Sequence, residues 1–288
     1  MSPNLAGALL MMASMACFTF NDALLKMTDG ALPLFQLLFL RGILASLLIF
    51  LLARARGGLR GPVAGRDRLL IAARSLSEVG AAYFFVTALL NMPLANVTAI
   101  LQVLPLTVTL GSALFFREAV GWRRMLAIVI GFAGMLLIVR PGTDGFTLYS
   151  VYALIAVLCV TVRDLTTRRL SRDVPSLLVT LSASVTVLVA SGLASLTTEW
   201  APVTPDLAWL LVGSSVFIVG GYFFSVQVMR AGDVSFIAPF RYTGLIWALV
   251  LGWLVFGDWP SGITLAGAAI IVATGLFTLY RERSLMRS

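Results

Sequence analysis

The sequence predicts an all-α polytopic membrane protein with ten transmembrane helices arranged as two inverted five-helix repeats. Three observations carry that expectation. The 288 residues are 59% hydrophobic and 12% charged, with a mean hydropathy of +0.98, proportions that could not cover the surface of a soluble domain. The apolar residues gather in ten runs of about 20, the length that crosses a bilayer core. The first five runs share residues with the last five at nearly constant offsets.

In chain order the runs are Leu5 to Leu25, Leu32 to Ala53, Leu69 to Leu90, Leu94 to Phe116, Trp122 to Val139, Phe146 to Arg163, Ser176 to Thr197, Leu207 to Met229, Val234 to Phe256 and Ile263 to Tyr280. Only Met1 to Asn4 precede the first, without a basic lead, and no A-x-A site follows it, so it reads as a retained span and not a cleaved signal peptide. The fourth and ninth contain Pro105 and Pro239, in the equivalent span of each half. A proline inside a helix frees the carbonyl four residues earlier, at Leu101 and Ser235, either for a ligand or as a plain kink. Thr98 and Gln102 share that stretch of helix 4. The fifth run holds Ala127-x-x-x-Gly131 and the tenth Ala269-x-x-x-Ala273, spacings that allow close backbone approach.

Charge sets the expected orientation. Arg54, Arg56, Arg60, Arg66 and Arg68 lie between helices 2 and 3, Arg117, Arg123 and Arg124 between 4 and 5, Arg168, Arg169 and Arg172 between 6 and 7, Arg230 between 8 and 9, and Arg281, Arg283 and Arg287 at the C-terminus. The odd connectors carry only Lys26 and Arg140 as cations, against Asp29, Asp144, Glu199, Asp206 and Asp258. Basic residues concentrate on the cytoplasmic side, so both termini are expected there. The net charge of +8 is thus a topology signal; no basic stretch is interleaved with exposed aromatics, and nucleic acid is not an expected partner.

The repeat aligns helix 1 with helix 6 at an offset of 142: Cys17 with Cys159, Thr19 with Thr161, Asp22 with Asp164, Lys26 with Arg168 and Pro33 with Pro175. Tyr83-Phe84-Phe85 recurs 139 residues on at Tyr222-Phe223-Phe224, and Asn96-Val97-Thr98 recurs 137 on as Asp233-Val234-Ser235. Helix 4 ends Phe116-Arg117-Glu118 and helix 9 Phe256-Gly257-Asp258. A boundary near residue 145 divides the chain into 1–145 and 146–288, two halves of one membrane domain. Five spans per half is an odd number, so the second half enters the membrane from the opposite side; this is transporter architecture.

Composition removes much chemistry. Histidine is absent, which excludes His-based triads, HExxH metal sites and imidazole haem ligands. The only lysine, Lys26, precedes Met27, so no phosphate-binding P-loop exists. Cys17 and Cys159 sit in apolar runs and support neither a disulfide nor a metal site. No cofactor and no metal are expected. Ionisable groups inside spans remain, and each costs about 2.5 to 3.5 kcal/mol at the bilayer centre unless it faces a wet cavity or a partner. Arg41 lies near the middle of helix 2 and Arg241 in helix 9, neither with a sequence-adjacent acid. Arg74 and Glu78, one turn apart, read as a self-neutralising pair, and Arg163 stands beside Asp164 at the end of helix 6. Unpaired guanidinium groups suit a carboxylate, and the faces of Tyr83, Phe84, Tyr222, Phe223 and Trp247 suit an apolar side chain or a cation, unless they serve packing alone. Amino acids satisfy both.

The chain resembles the drug/metabolite transporter superfamily, in its ten-helix EamA type. The resemblance rests on Phe18-x-x-Asn21-Asp22-x-x-x-Lys26, Phe39-Leu40-Arg41-Gly42, Leu101-Gln102-x-x-Pro105-Leu106, Gly131-x-x-Gly134 and Arg140-Pro141-Gly142, and is strongest to bacterial exporters of amino acids and related metabolites, including the aromatic amino acid and methyl viologen exporter branch. It implies a central cavity within helices 1 to 4 and 6 to 9. Helices 5 and 10 would brace the outside or join two subunits as a homodimer. The expectation is a secondary transporter of the bacterial cytoplasmic membrane that exports small metabolites, most of all amino acids and related zwitterionic or amphipathic compounds, by alternating access. The candidate cavity residues are Asn21, Asp22, Arg41, Arg74, Glu78, Tyr83, Thr98, Gln102, Tyr222, Arg241, Tyr242 and Trp247, with Pro105 and Pro239 as helix breaks. The run Pro239-Phe240-Arg241-Tyr242-Thr243 resembles relatives that take up S-adenosylmethionine or riboflavin, the alternative. A membrane-embedded enzyme is more remote, since no clustered nucleophile and base is visible.

Overall fold

The computed structural model describes residues 3–59, 61, 63–117, 121–142, 147–171, 173–228 and 237–286. Prolines mark where several helices start. Pro33, Pro93 and Pro175 stand in extended backbone immediately before a helix, where the fixed φ cannot continue a preceding helix and the missing N–H is not needed. The helices are α1 (Pro3–Lys26), α2 (Leu34–Ala55), α3 (Gly65–Asn91), α4 in two pieces (Leu94–Leu101 and Leu104–Phe116), α5 (Trp122–Val139), α6 (Leu148–Arg168), α7 (Ser176–Ser195), α8 (Pro205–Val228), α9, which opens as a 3-10 turn (Ala238–Tyr242) and continues over Thr243–Phe256, and α10 (Gly262–Met286). All ten are long and apolar enough to cross a membrane, so the chain is an all-α polytopic membrane protein.

The differences from the sequence expectation have local causes. Hydrogen bonding in α6 continues five residues past Arg163, through a polar last turn that hydropathy does not register. Asp164 therefore lies inside the helix and not at its end. In the same way α3 starts before Leu69, with Asp67 in its first turn. Helix 4 breaks at Gln102 and Val103, just before Pro105, and α9 is tightened over 238–242; subtracting 137 places that turn at 101–105, so the two irregularities coincide. Glu118, the 143–146 boundary with Asp144 and Phe146, and Met229 to Phe236, with Arg230, the Asp233-Val234-Ser235 word and the Ser235 carbonyl, lie outside the described residues.

Helices in lipid gain little from apolar burial against each other and associate through close packing and hydrogen bonds. Accordingly Leu47, Leu136, Leu193, Trp209 and Leu254 face outward, while interfaces carry small residues and hydroxyls. Neighbouring helices include α1 with α8, α3 with α6, α2 with α7, α4 with α9 and α5 with α10. Adding five to each helix number of the first half exchanges the first two pairs and maps each of the other three onto itself. Detailed contacts follow the same rule. Cys17 Sγ packs against Gly220 and Cys159 Sγ against Gly80. Thr19 donates to the Gly244 carbonyl at 3.4 Å, and the Thr161 hydroxyl meets that of Thr107 at 2.6 Å; 19 plus 142 is 161, and 107 plus 137 is 244.

Helices α5 and α10 cross at Gly134 and Gly267. A Cβ on Gly267 would lie 2.5 Å from the Gly134 carbonyl oxygen, and one on Gly134 would lie 2.9 Å from that of Gly267. Gly131 belongs to this interior face, against Leu106 and Thr274, whereas Ala269 and Ala273 point outward. A Gly267→Val substitution must separate the two backbones, and we expect it to cost about 1–3 kcal/mol. Thermal unfolding in detergent checks this, and an unchanged melting temperature would contradict the crossing.

Candidate functional site

Arg41 is the starting point. It sits two turns into α2, and its buried Nε has no hydrogen-bond partner among the described residues. With Arg74 and Glu78 of α3, Thr180 and Ser184 of α7 and Tyr222 of α8 it lines a partly open cavity of about 70 Å³, bordered also by Leu38, Ala45, Ile49, Ala82, Val187 and Ile218. That volume holds a few waters, at some 10–15 Å³ of such space for each. Asp22 and Glu78 both act electrostatically on Arg41.

The Arg74–Glu78 pair expected from their spacing does not form. Glu78 instead turns across the bundle, where Arg163 of α6 approaches its carboxylate at 3.5 Å and the Tyr222 hydroxyl donates to it at 3.3 Å. Arg74 donates to the Thr167 hydroxyl at 3.1 Å and to the Val179 carbonyl at 3.4 Å. The reason is packing: α3 lies between α6 and α7, and inter-helix partners outcompete the i,i+4 neighbour, which two long side chains would have to bend along the helix to reach. Arg163 also holds Asp164 at 2.9 Å. Asn21, 142 residues earlier, does the same for Asp22, donating at 2.8 Å, and its own Oδ1 accepts from Ser214 at 2.9 Å. Arg241 acts on Asp164 from α9. Four arginines and three carboxylates thus occupy one region, and the cluster carries a net positive charge.

Other candidates serve different places. Tyr83 stacks on Phe35 at 5.8 Å and meets Phe84 edge-on, in an aromatic group with Tyr152 outside the cavity lining. Trp247 lies 6.1 Å from Phe20, which stacks on Phe217. Tyr242 is buried with its hydroxyl turned onto Gly275 of α10. Thr98 Oγ1 is buried without a partner among the described residues, and Gln102 is buried near Gly244. Pro105 and Pro239 sit at the two helix breaks. Thr180, Ser184 and Ser214 gave no sequence signal, because serine and threonine occur throughout these helices, bonded to their own backbone.

The charged cavity does not repeat. The positions equivalent to Arg41, Arg74 and Glu78 are Ala183, Gly213 and Phe217, so the cluster is off centre. Lys26 at the end of α1 does have a counterpart. Its ammonium donates to the Leu89 and Met92 carbonyls at 3.1 and 2.8 Å, ties α1 to the end of α3, and lies 5.6 Å over Phe256 of α9. Arg168, 142 residues on, reaches Ser112 of α4 at the opposite end of the bundle.

The sequence pattern of the EamA-like transporter family matches residues 5–140 and again 147–280. Similar proteins include the S-adenosylmethionine uptake transporter of Rickettsia conorii, 29% identical over 67% of this chain and 66% of that one, and the riboflavin transporter of Vibrio cholerae, 32% identical over 65% and 62%. The chain therefore spans just under two thirds of the length of these two relatives. The pseudopaline exporter CntI of Pseudomonas aeruginosa is 29% identical over 91% of this chain and 92% of its own. A solved crystal structure, 21% identical, shares the fold with a TM-score of 0.67 over 96% of this chain and 98% of that chain. Two matches that together take in nearly all of the sequence place it plainly: the chain belongs to the EamA-like transporter family.

Proposed function

We propose that the chain is a secondary transporter that exports small zwitterionic or amphipathic metabolites, amino acids foremost, across the bacterial cytoplasmic membrane by alternating access. Arg41 carries the substrate class. A buried guanidinium Nε with no partner among the described residues, beside a cavity, matches a carboxylate, and Asp22 nearby gives an ammonium group its complement. The cavity is smaller than the 300–1,000 Å³ typical of ligand sites, so substrate enters a more open state than this one. Uptake of S-adenosylmethionine or riboflavin is the second reading, supported by the names of two relatives; export is preferred because the pseudopaline exporter matches over nine tenths of both chains. Transporter relatives, and a site without a nucleophile and base among the described residues, favour transport over enzyme chemistry.

Two repeats, residues 1–145 and 146–288, inverted in the membrane with both termini cytoplasmic, are part of this reading. The exchange of the α1–α8 and α3–α6 pairs supports it, as does the paired Thr19 and Thr161 bonding. In the exchanged state Arg168 would hold the end of α8 at the Val228 carbonyl, as Lys26 now holds Leu89, and Lys26 would be released. The outward faces of α5 and α10 are left for a homodimer.

Binding to the purified protein tests the substrate class: amino acids should raise its melting temperature and the corresponding amines without a carboxylate should not. Equal effects would contradict the Arg41 reading. For the closure, hydrogen bonds to charged groups contribute about 1.5–3 kcal/mol, so Lys26→Gln should open the Lys26 end at least about tenfold more often. In a Cys17→Ser, Cys159→Ser background, a thiol placed at buried Leu32 should react correspondingly faster with an impermeant reagent. An unchanged rate would remove Lys26 as a latch.

A further inference from the structure

A second recess lies outside the charged cluster, on the membrane face between α3 and α7. Its volume is about 720 Å³ and it is open rather than enclosed. Ile71, Ala72, Leu76 and Leu178 give it an apolar wall, and Leu76 is 68% exposed. Arg68, one turn into α3, also lines it. The neighbouring carboxylates do not neutralise Arg68. Asp67 is buried and accepts from the Ser171 amide at 3.2 Å, and neither it nor Asp173 pairs with Arg68 among the described residues. Deeper in the same recess Ser75 is 4% exposed, yet its hydroxyl has no partner among the described residues. A buried, unsatisfied hydroxyl in a membrane protein is costly, and turning the Ser75 side chain towards the recess would let an ester or glycerol oxygen there satisfy it.

We infer that this recess is a binding site for one anionic phospholipid, with the phosphate on Arg68, the glycerol backbone towards Ser75 and an acyl chain along Ile71, Leu76 and Leu178. The position fits the chemistry. The recess lies at the end of the bundle where the arginine-rich connectors emerge, the side on which anionic lipid is attracted to basic residues. An adjoining face of α3 carries Arg74 and Glu78, so the lipid would pack against the helix that builds the transport cavity.

The protein, purified and returned to bilayer nanodiscs containing equal phosphatidylglycerol and phosphatidylcholine, is stripped with mild detergent and the retained lipid is counted by native mass spectrometry. We expect one phosphatidylglycerol to be retained in preference to phosphatidylcholine. Arg68→Gln should lower its retention about fivefold, the factor for one basic residue at a membrane surface. Arg123→Gln, an exposed arginine of the same bundle end but away from the recess, should leave retention unchanged. Ala72→Phe, which fills an exposed part of the recess without touching the core, should remove the lipid with Arg68 intact. Equal losses with Arg68→Gln and Arg123→Gln would mean diffuse surface charge and overturn the site. Equal retention of the two lipids would do so too, as would displacement of the lipid by millimolar inorganic phosphate alone.

Discussion

Arg41→Gln should abolish transport and leave the protein folded. Losing one member of a desolvated charge pair costs about 2–5 kcal/mol of binding, so flux at substrate concentrations below saturation should fall by about 30-fold or more. The fold should not suffer, because Arg41 Nε has no partner to lose among the described residues and a buried charge without its ligand is itself a burden on stability. Arg41→Lys keeps the charge and loses the planar fork, so it should transport at an intermediate rate. Rates in proteoliposomes, with melting temperatures beside them, check all three statements. Unchanged flux in Arg41→Gln would assign the guanidinium to packing.

The second large effect is on stability. Glu78 accepts from Arg163 and from Tyr222, joining α3 to α6 and α8. Breaking a fully buried ion pair costs about 3–5 kcal/mol; here the side chains are 16% and 21% exposed and Arg163 keeps Asp164, so Glu78→Gln should cost about 2 kcal/mol by the same principle. Flux should fall because less protein is assembled, with downhill flux and pH-driven accumulation reduced together. If the variant lost uphill accumulation under a pH gradient yet kept downhill exchange and its melting temperature, Glu78 would be a proton carrier and not a structural tie.

How much of this is written in the sequence depends on the range of the interaction. The ten spans are legible because bilayer thickness imposes a run length, and the two irregular helices because Pro105 and Pro239 remove a helical hydrogen bond. Arg41 is legible for a similar reason: an arginine mid-span is costly wherever its side chain turns. The partners of Glu78 are not, since Arg163 is 85 residues away and only the seating of α6 on α3 decides that it prevails over Arg74. Asp164 escapes correct placement because the apolar run stops at Arg163 while the helix does not. Tyr83 and Tyr222 come from the same repeated word and read alike, yet one stacks on Phe35 and the other faces the cavity. Near-identical local sequence met different neighbours.

Counterflow in proteoliposomes tests the central claim most directly. Vesicles loaded with an unlabelled amino acid and diluted into the labelled one should accumulate label transiently, with no ion or pH gradient imposed, for at least one member of a panel of carboxylate-bearing amino acids. Arg41→Gln protein, reconstituted to the same level, should show none. Absence of counterflow for every carboxylate-bearing substrate tried, or counterflow that Arg41→Gln leaves intact, would contradict the account.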